Sequence, residues 1–458
     1  MYRFFKTSTL FPVVAVAASI AVLSGFSGKQ AGEPTDLKGK YQYKNFESAK
    51  KCKTCHPSIY EMWSQSMMSQ AYTHHWDEIE YFDLAVAHAE AKPELKGPVD
   101  GCNGCHSPLA YMDGKFPPPR PSEKSMANES VSCEVCHLIQ AAQTDPPFNF
   151  SYLIEPGVTK YAKREPSVES PAHKIVTKDI FATTEFCGNC HNEKNPFGIW
   201  VKSTQLEWKE GPYADQGVMC HECHMPRAPF QNAILAKPYD NSRLHLFHGG
   251  HDPGKVKGTI ELRIQPDIRE AEPGENVVFT VALFNAKTGH KFPTGSVEDR
   301  ILWLNVEATD SKGVTYHLKV DKKGFEGEEY TISGDNLAYQ DMGVPLKDSG
   351  FRGVQRDGIP EGNRVFRMPS FDPEGRMTIM QWNTAKLGVD YRIGPRETKT
   401  ETFTFRLPFN AAPGELKVTA TLNYQLLVKP VADLLKVPAE ESEIIVVNEH
   451  STRLTILP

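Results

Sequence analysis

Several features are missing from this sequence. No cysteine stands outside five short motifs, neither sign of charge is in large excess, and no long apolar run follows residue 26. Each absence excludes something. With 51 Lys and Arg against 57 Asp and Glu, the formal charge is −6, and no basic stripe suits a nucleic-acid partner. No run of like charges is long enough for a solvating tail. The lack of later apolar stretches excludes a bundle of membrane-spanning helices. No 20–50-residue repeat recurs beyond the cysteine motif, which argues against a solenoid or propeller.

What remains is 458 residues, ample for two domains. A hydrophobic content of 40% with 24% charge is that of an ordinary globular protein. Residues 1–27 read as a signal peptide or an N-terminal anchor. Arg3 and Lys6 precede an apolar stretch from Leu10 to Phe26. Gly25-Phe26-Ser27 is a poor cleavage site, so a retained inner-membrane anchor stands as the alternative. Either reading places the remainder outside the cytoplasm, in the periplasm or at the cell surface.

The ten cysteines pair at 52/55, 102/105, 133/136, 187/190 and 220/223. A histidine follows each pair at once: His56, His106, His137, His191 and His224. Cys-x-x-Cys-His is a haem c attachment pattern. Two thiols three positions apart can form thioethers with the two porphyrin vinyl groups, and the adjoining imidazole then reaches the iron. A disulfide framework gives no reason for a histidine after every pair, and structural zinc would not use an odd number of pairs. The thioether residues are therefore Cys52, Cys55, Cys102, Cys105, Cys133, Cys136, Cys187, Cys190, Cys220 and Cys223, and the expected cofactor is five covalent haems c.

The chain predicts an α+β multidomain fold. Residues 28–44 read as a linker and 45–255 as an irregular, partly helical pentahaem domain. Helix-like pieces run over Pro57–Tyr72 and Asp77–Ala91, between proline-rich loops. The haems themselves would replace much of the hydrophobic core. Residues 256–458 read as an all-β, immunoglobulin-like sandwich, with strands near Thr259–Ile264, Asn276–Phe284, Ile301–Ala308, Val314–Val320, Glu401–Leu407, Glu415–Leu427 and Ile444–Leu457. An insertion is expected near 321–391.

Each iron has a second axial position, whose ligand tunes the potential. Eleven of the 16 histidines are not in the proximal set. Eight of these lie between 74 and 251, and only His290, His317 and His450 lie in the β region. Distal candidates are His88 on a helix-like apolar stretch, His173, His245, His248, His74, His75 and His290. The last sits in a turn-rich loop, so the β region would reach across to a haem. Met68 is a thioether candidate for the first haem, although methionines also simply fill gaps. His221, His317 and His450 read as structural.

The run Cys52-Lys53-Thr54-Cys55-His56 with Tyr60, Trp63, Ser66 and Ala71 resembles multihaem cytochromes c related to the tetrahaem partner of hydroxylamine oxidoreductase. So do Cys105–Ala110, Val131–His137 and Cys223–Pro226. The loop Gly289–Gly295 resembles one found in exported multihaem cytochromes with a β-sandwich tail. The resemblance implies respiratory electron transfer outside the cytoplasm and closely stacked haem pairs. Relatives usually carry histidine where this chain has Met68. That departure leaves the first haem Met-ligated, served by His74 or His75, or open.

The leading expectation is an electron-transfer protein acting between redox partners, with no catalytic residue assigned. One alternative is a multihaem oxidoreductase of nitrogen-oxide or hydroxylamine type. Ammonia-forming pentahaem nitrite reductases replace one motif histidine by lysine, which this chain does not do. Another alternative is an oligomeric subunit of a cytochrome filament or membrane complex.

Overall fold

The computed structural model describes residues 34–164, 169–321, 339–341 and 354–458. The expected signal segment, part of the linker and much of the expected insertion lie outside these residues. Pro34–Pro458 forms one compact unit. Among the described residues no helix is long and apolar enough to cross a membrane.

The motif-bearing half is built from short helices and two-stranded ribbons. Its helices include Pro57–Ser64, Met67–Gln70, Pro108–Asp113, Cys133–Leu138, Glu185–His191, Thr204–Lys209 and Cys220–His224. The expected helix over 57–72 is broken at Gln65-Ser66, where Ser66 Oγ bonds back to the Trp63 carbonyl at 2.7 Å. Serine competes in this way with the helical ladder. The second expected helix is continuous but changes pitch: α over His75–Ile79, π over Glu80–Val86, and α again over Ala87–Ala91. Leu109, Met112, Val135, Leu138, Tyr152 and Ile154 form a small core here.

The β half is a sandwich of two sheets. One has the order Thr398–Arg406, Asn276–Asn285, Ile260–Pro266, all antiparallel. The other runs Glu270–Ala271, Ile445–Ile456, Gly414–Gln425, Ile301–Thr309, Thr315–His317. Burial alternates along Asn276–Asn285, so Val277, Phe279, Val281 and Leu283 point inward. They meet Leu304, Val306, Val418, Ala420 and Leu422 from the other sheet. Each fully buried aliphatic or Phe side chain in this core contributes about 1.5–3 kcal/mol. Within 321–391, Arg364–Phe366 pairs with Ile301–Thr309, so the described part of this stretch extends the sheet.

A second apolar core joins the halves. Tyr72, Trp76, Leu84 and Val99 pack with Ile301, Trp303, Trp382, Leu427 and Val431. Polar contacts support it. Glu207, on the helix Thr204–Lys209, pairs with buried Arg392 at 2.7 Å and accepts a hydrogen bond from Thr294 Oγ1 at 2.7 Å.

Candidate haem-binding site

Each motif occupies a single helical turn. The His56 amide bonds to the Cys52 carbonyl at 2.8 Å, and the His106 amide to the Cys102 carbonyl at 3.0 Å. That turn brings both thiols and the imidazole to one side of the backbone. All ten cysteines are free thiols in this structure.

The motifs open into one branched cavity of about 2130 Å³. Ordinary ligand pockets measure about 300–1,000 Å³. All five motif histidines and nine of the ten cysteines line it, and Cys102 lines a smaller neighbouring pocket that also touches His106. The space and the donors fit covalently attached haem.

Distinct motifs approach one another through their sulfurs. The Cys52 thiol lies close to that of Cys133, Cys105 to Cys190, and Cys187 to Cys220. Cys136 also lies within electrostatic reach of Cys187. Motifs one and three, three and four, two and four, and four and five are therefore neighbours.

Across the cavity, three motif histidines face a second imidazole. The ring centroids are 6.2 Å apart for His56 and His173, 6.4 Å for His137 and His245, and 6.3 Å for His224 and His290. A metal–nitrogen bond is about 2 Å, so two imidazoles sharing one iron place their ring centres roughly 6 Å apart. His290 reaches this position from the sandwich. Its loop is fixed by Glu207, which accepts from the Lys291 amide at 3.2 Å, and by the paired Phe292 and Ile393 backbones.

The Nδ1–H groups are tied to carbonyls: His56 donates to Asn232 at 2.6 Å, His137 to Tyr161 at 2.7 Å, and His224 to His248 at 2.7 Å. His245 donates to Arg243 at 2.8 Å and His290 to Lys291 at 2.8 Å. These bonds fix the tautomer and leave Nε2 as the free ligand atom. Burial pushes the His191, His224 and His245 imidazoles down to about 4, so their lone pairs are available at neutral pH.

His106 differs. Its Nδ1 donates to the Ala71 carbonyl at 2.8 Å and also lies 3.3 Å from Asp77 Oδ1. Burial opposes its charge, but Asp77 outweighs that and raises the ring to about 9. Among the described residues no second imidazole faces His106 or His191 at the spacing of the three pairs.

Other distal candidates lie elsewhere. His88 is away from the cavity wall, 4% exposed, and its Nδ1 accepts from Trp382 Nε1 at 3.1 Å. Its apolar helix packs into the core joining the two halves, not onto a haem. His248 pairs with Asp252 at 2.9 Å on the surface, and only its carbonyl serves the site, through His224. His74 and His75 both turn to Glu441, at 2.7 and 3.3 Å. Met68 lines the cavity, but His173 holds the position facing His56. His450 accepts the Ile264 amide at 3.2 Å, and His317 pairs with Glu307 at 3.1 Å.

Sequence reasoning did not single out Asp77 or His251. His251 stacks edge-on with His74 at 5.2 Å, and these two with Glu441 form a group able to hold a metal. No local pattern marks them, because Glu441 comes from the far end of the chain.

Residues 51–138 match the family model described as cytochrome c554 and c-prime. None of the curated proteins has a significant match. A penta-heme cytochrome c552 from Thermochromatium tepidum superposes with a TM-score of 0.63 at 21% identity, over 90% of this chain and 99% of that one. The CARDB domain of a Pyrococcus furiosus protein matches 43% of this chain and 87% of its own at 10% identity, with a TM-score of 0.18, too low to carry an argument. Residues 51–138 carry the sequence signature of a multihaem cytochrome c, and the chain shares the fold of a penta-heme one: a helical motif-bearing half followed by a β-rich half. The motifs and the cavity fit haem c, which serves electron transfer in proteins of that kind.

Proposed function

We propose that this protein carries five haems c and passes electrons between redox partner proteins outside the cytoplasm. The three facing imidazole pairs carry this reading. Bis-histidine irons are closed to substrate and change only their oxidation state. Neighbouring motifs supply a branched route in which the fourth meets the second, third and fifth. The haem supplies the reversible one-electron step, while the protein chain holds imidazoles, excludes water and orients Nδ1 protons.

A pyridine haemochrome assay on purified holoprotein, with an electron paramagnetic resonance spectrum, tests the proposal. Five haems per chain, at least three of them low-spin with two imidazoles, are expected. Fewer haems, or an entirely high-spin spectrum, refute it.

A second reading has its own support. Among the described residues no imidazole faces His106 or His191 at the spacing of the three pairs, so the second axial position of a haem held there is the candidate site for a small substrate. A multihaem oxidoreductase acting on a nitrogen oxide or hydroxylamine fits that arrangement. A high-spin signal that shifts on adding nitrite or hydroxylamine would favour this reading.

A further inference from the structure

Three carboxylates meet where the haem-bearing half abuts the sandwich; Glu80 and Asp299 also line the haem cavity, and none of the three belongs to a facing imidazole pair. Glu80 begins the π-helical segment. Glu298 and Asp299 lie in the loop just before the strand Ile301–Thr309. One oxygen from each lies within 4.8 Å of the others. Glu298 and Asp299 are 2% and 4% exposed. Each of the three also keeps one buried oxygen without a hydrogen-bond partner: Oε1 of Glu80, Oε1 of Glu298 and Oδ1 of Asp299. The other Asp299 oxygen accepts from Trp76 Nε1 at 3.0 Å, which fixes that side chain.

The local charges do not balance. Lys202 Nζ lies 3.8 Å from Glu298 Oε1, but Glu193 holds it more closely, at 2.9 Å. The three carboxylates repel one another. Burial and mutual repulsion keep these carboxyls largely protonated near neutral pH unless a cation joins them.

We propose that Glu80, Glu298 and Asp299 form a site for one Ca²⁺ ion that ties the haem-bearing half to the β-sandwich. Hard oxygen donors suit calcium over softer metals. Calcium–oxygen bonds of about 2.3–2.6 Å allow ligand oxygens up to about 5 Å apart, whereas magnesium at about 2.1 Å demands a tighter set. Water completes the six to eight ligands that calcium takes. Burial pushes the Glu80 and Glu298 carboxyls up to about 8. Calcium uptake therefore displaces protons from this site, and it does so whatever route electrons follow.

Holoprotein stripped with EGTA, reloaded with Ca²⁺ and desalted provides the test, with metal content read by mass spectrometry and the melting temperature followed in parallel. One Ca²⁺ per chain and a higher melting temperature are expected, with Mg²⁺ reproducing neither at equal concentration. The variant E298Q, at a residue that does not line the haem cavity, is expected to lose both effects with its haem content unchanged. Should that variant not fold, Glu80→Gln on the half-buried rim is expected to weaken Ca²⁺ binding about tenfold through loss of one ligand charge. Wild-type protein that retains no Ca²⁺, or a folded variant that binds it as tightly as wild type, overturns the proposal.

Discussion

The rings of His224 and His290 stand 6.3 Å apart with their planes within 18° of parallel. One ends the fifth cysteine motif and the other tips a loop of the β-sandwich. A single iron held between them would link the two halves of the molecule and make the sandwich part of the haem site.

Replacing His290 with alanine is therefore expected to convert one low-spin haem to high-spin. Optical and electron paramagnetic resonance spectra of the holoprotein measure this, and an unchanged spectrum would sink the assignment. The same substitution at His88 should leave every haem low-spin. It would strand the Trp382 indole N–H and cost about 1–3 kcal/mol of stability, read from denaturant unfolding.

Glu207 holds the His290 loop in place. Glu207→Ala leaves Arg392, itself nearly inaccessible, with only Asp390 as a carboxylate partner. Breaking a buried pair costs about 3–5 kcal/mol. The expected result is a lower unfolding midpoint together with partial high-spin character from the displaced His290.

Asp77 pulls on the Nδ1 proton of His106. A carboxylate there gives the imidazole anionic character, which stabilises ferric iron. Asp77→Asn should raise the potential of that haem by about 60 mV if the interaction differs by about 1.4 kcal/mol. Spectroelectrochemical titration would resolve the shift, and a change confined to stability would contradict this role.

His74 predicts a pH dependence. Burial opposes its charge, but the hydrogen bonds that His74 donates to Asp77 and Glu441 prevail and raise it to about 9. A raised histidine favours the folded state below its ordinary value of 6.5, and that stability is lost as pH rises through about 9. The melting temperature should fall across this window, and the fall should be shallower in His74→Gln.

The alternating strands were largely readable, because they depend on neighbours a few residues away, whereas the break at Gln65-Ser66 was not expected. The strands Asn276–Asn285 and Gly414–Gln425 follow directly from period-two burial. The change to π pitch at Glu80 carried no such mark. His88 misled because an apolar helical face looks the same whether it packs on a haem or on Trp382. His173, His245 and His290 were visible as spare histidines, but nothing local assigned a partner to each.

The sequence by itself determined the attachment chemistry: two thiols and an imidazole within one helical turn are local geometry, independent of the rest of the chain. It also determined that a β-rich half would follow the motifs. Only the tertiary structure decided which imidazoles face each other and that Asp77 touches His106. It alone gathered Glu80, Glu298 and Asp299 at one junction. These are contacts between distant segments, and chain packing rather than residue spacing brings them within bonding distance.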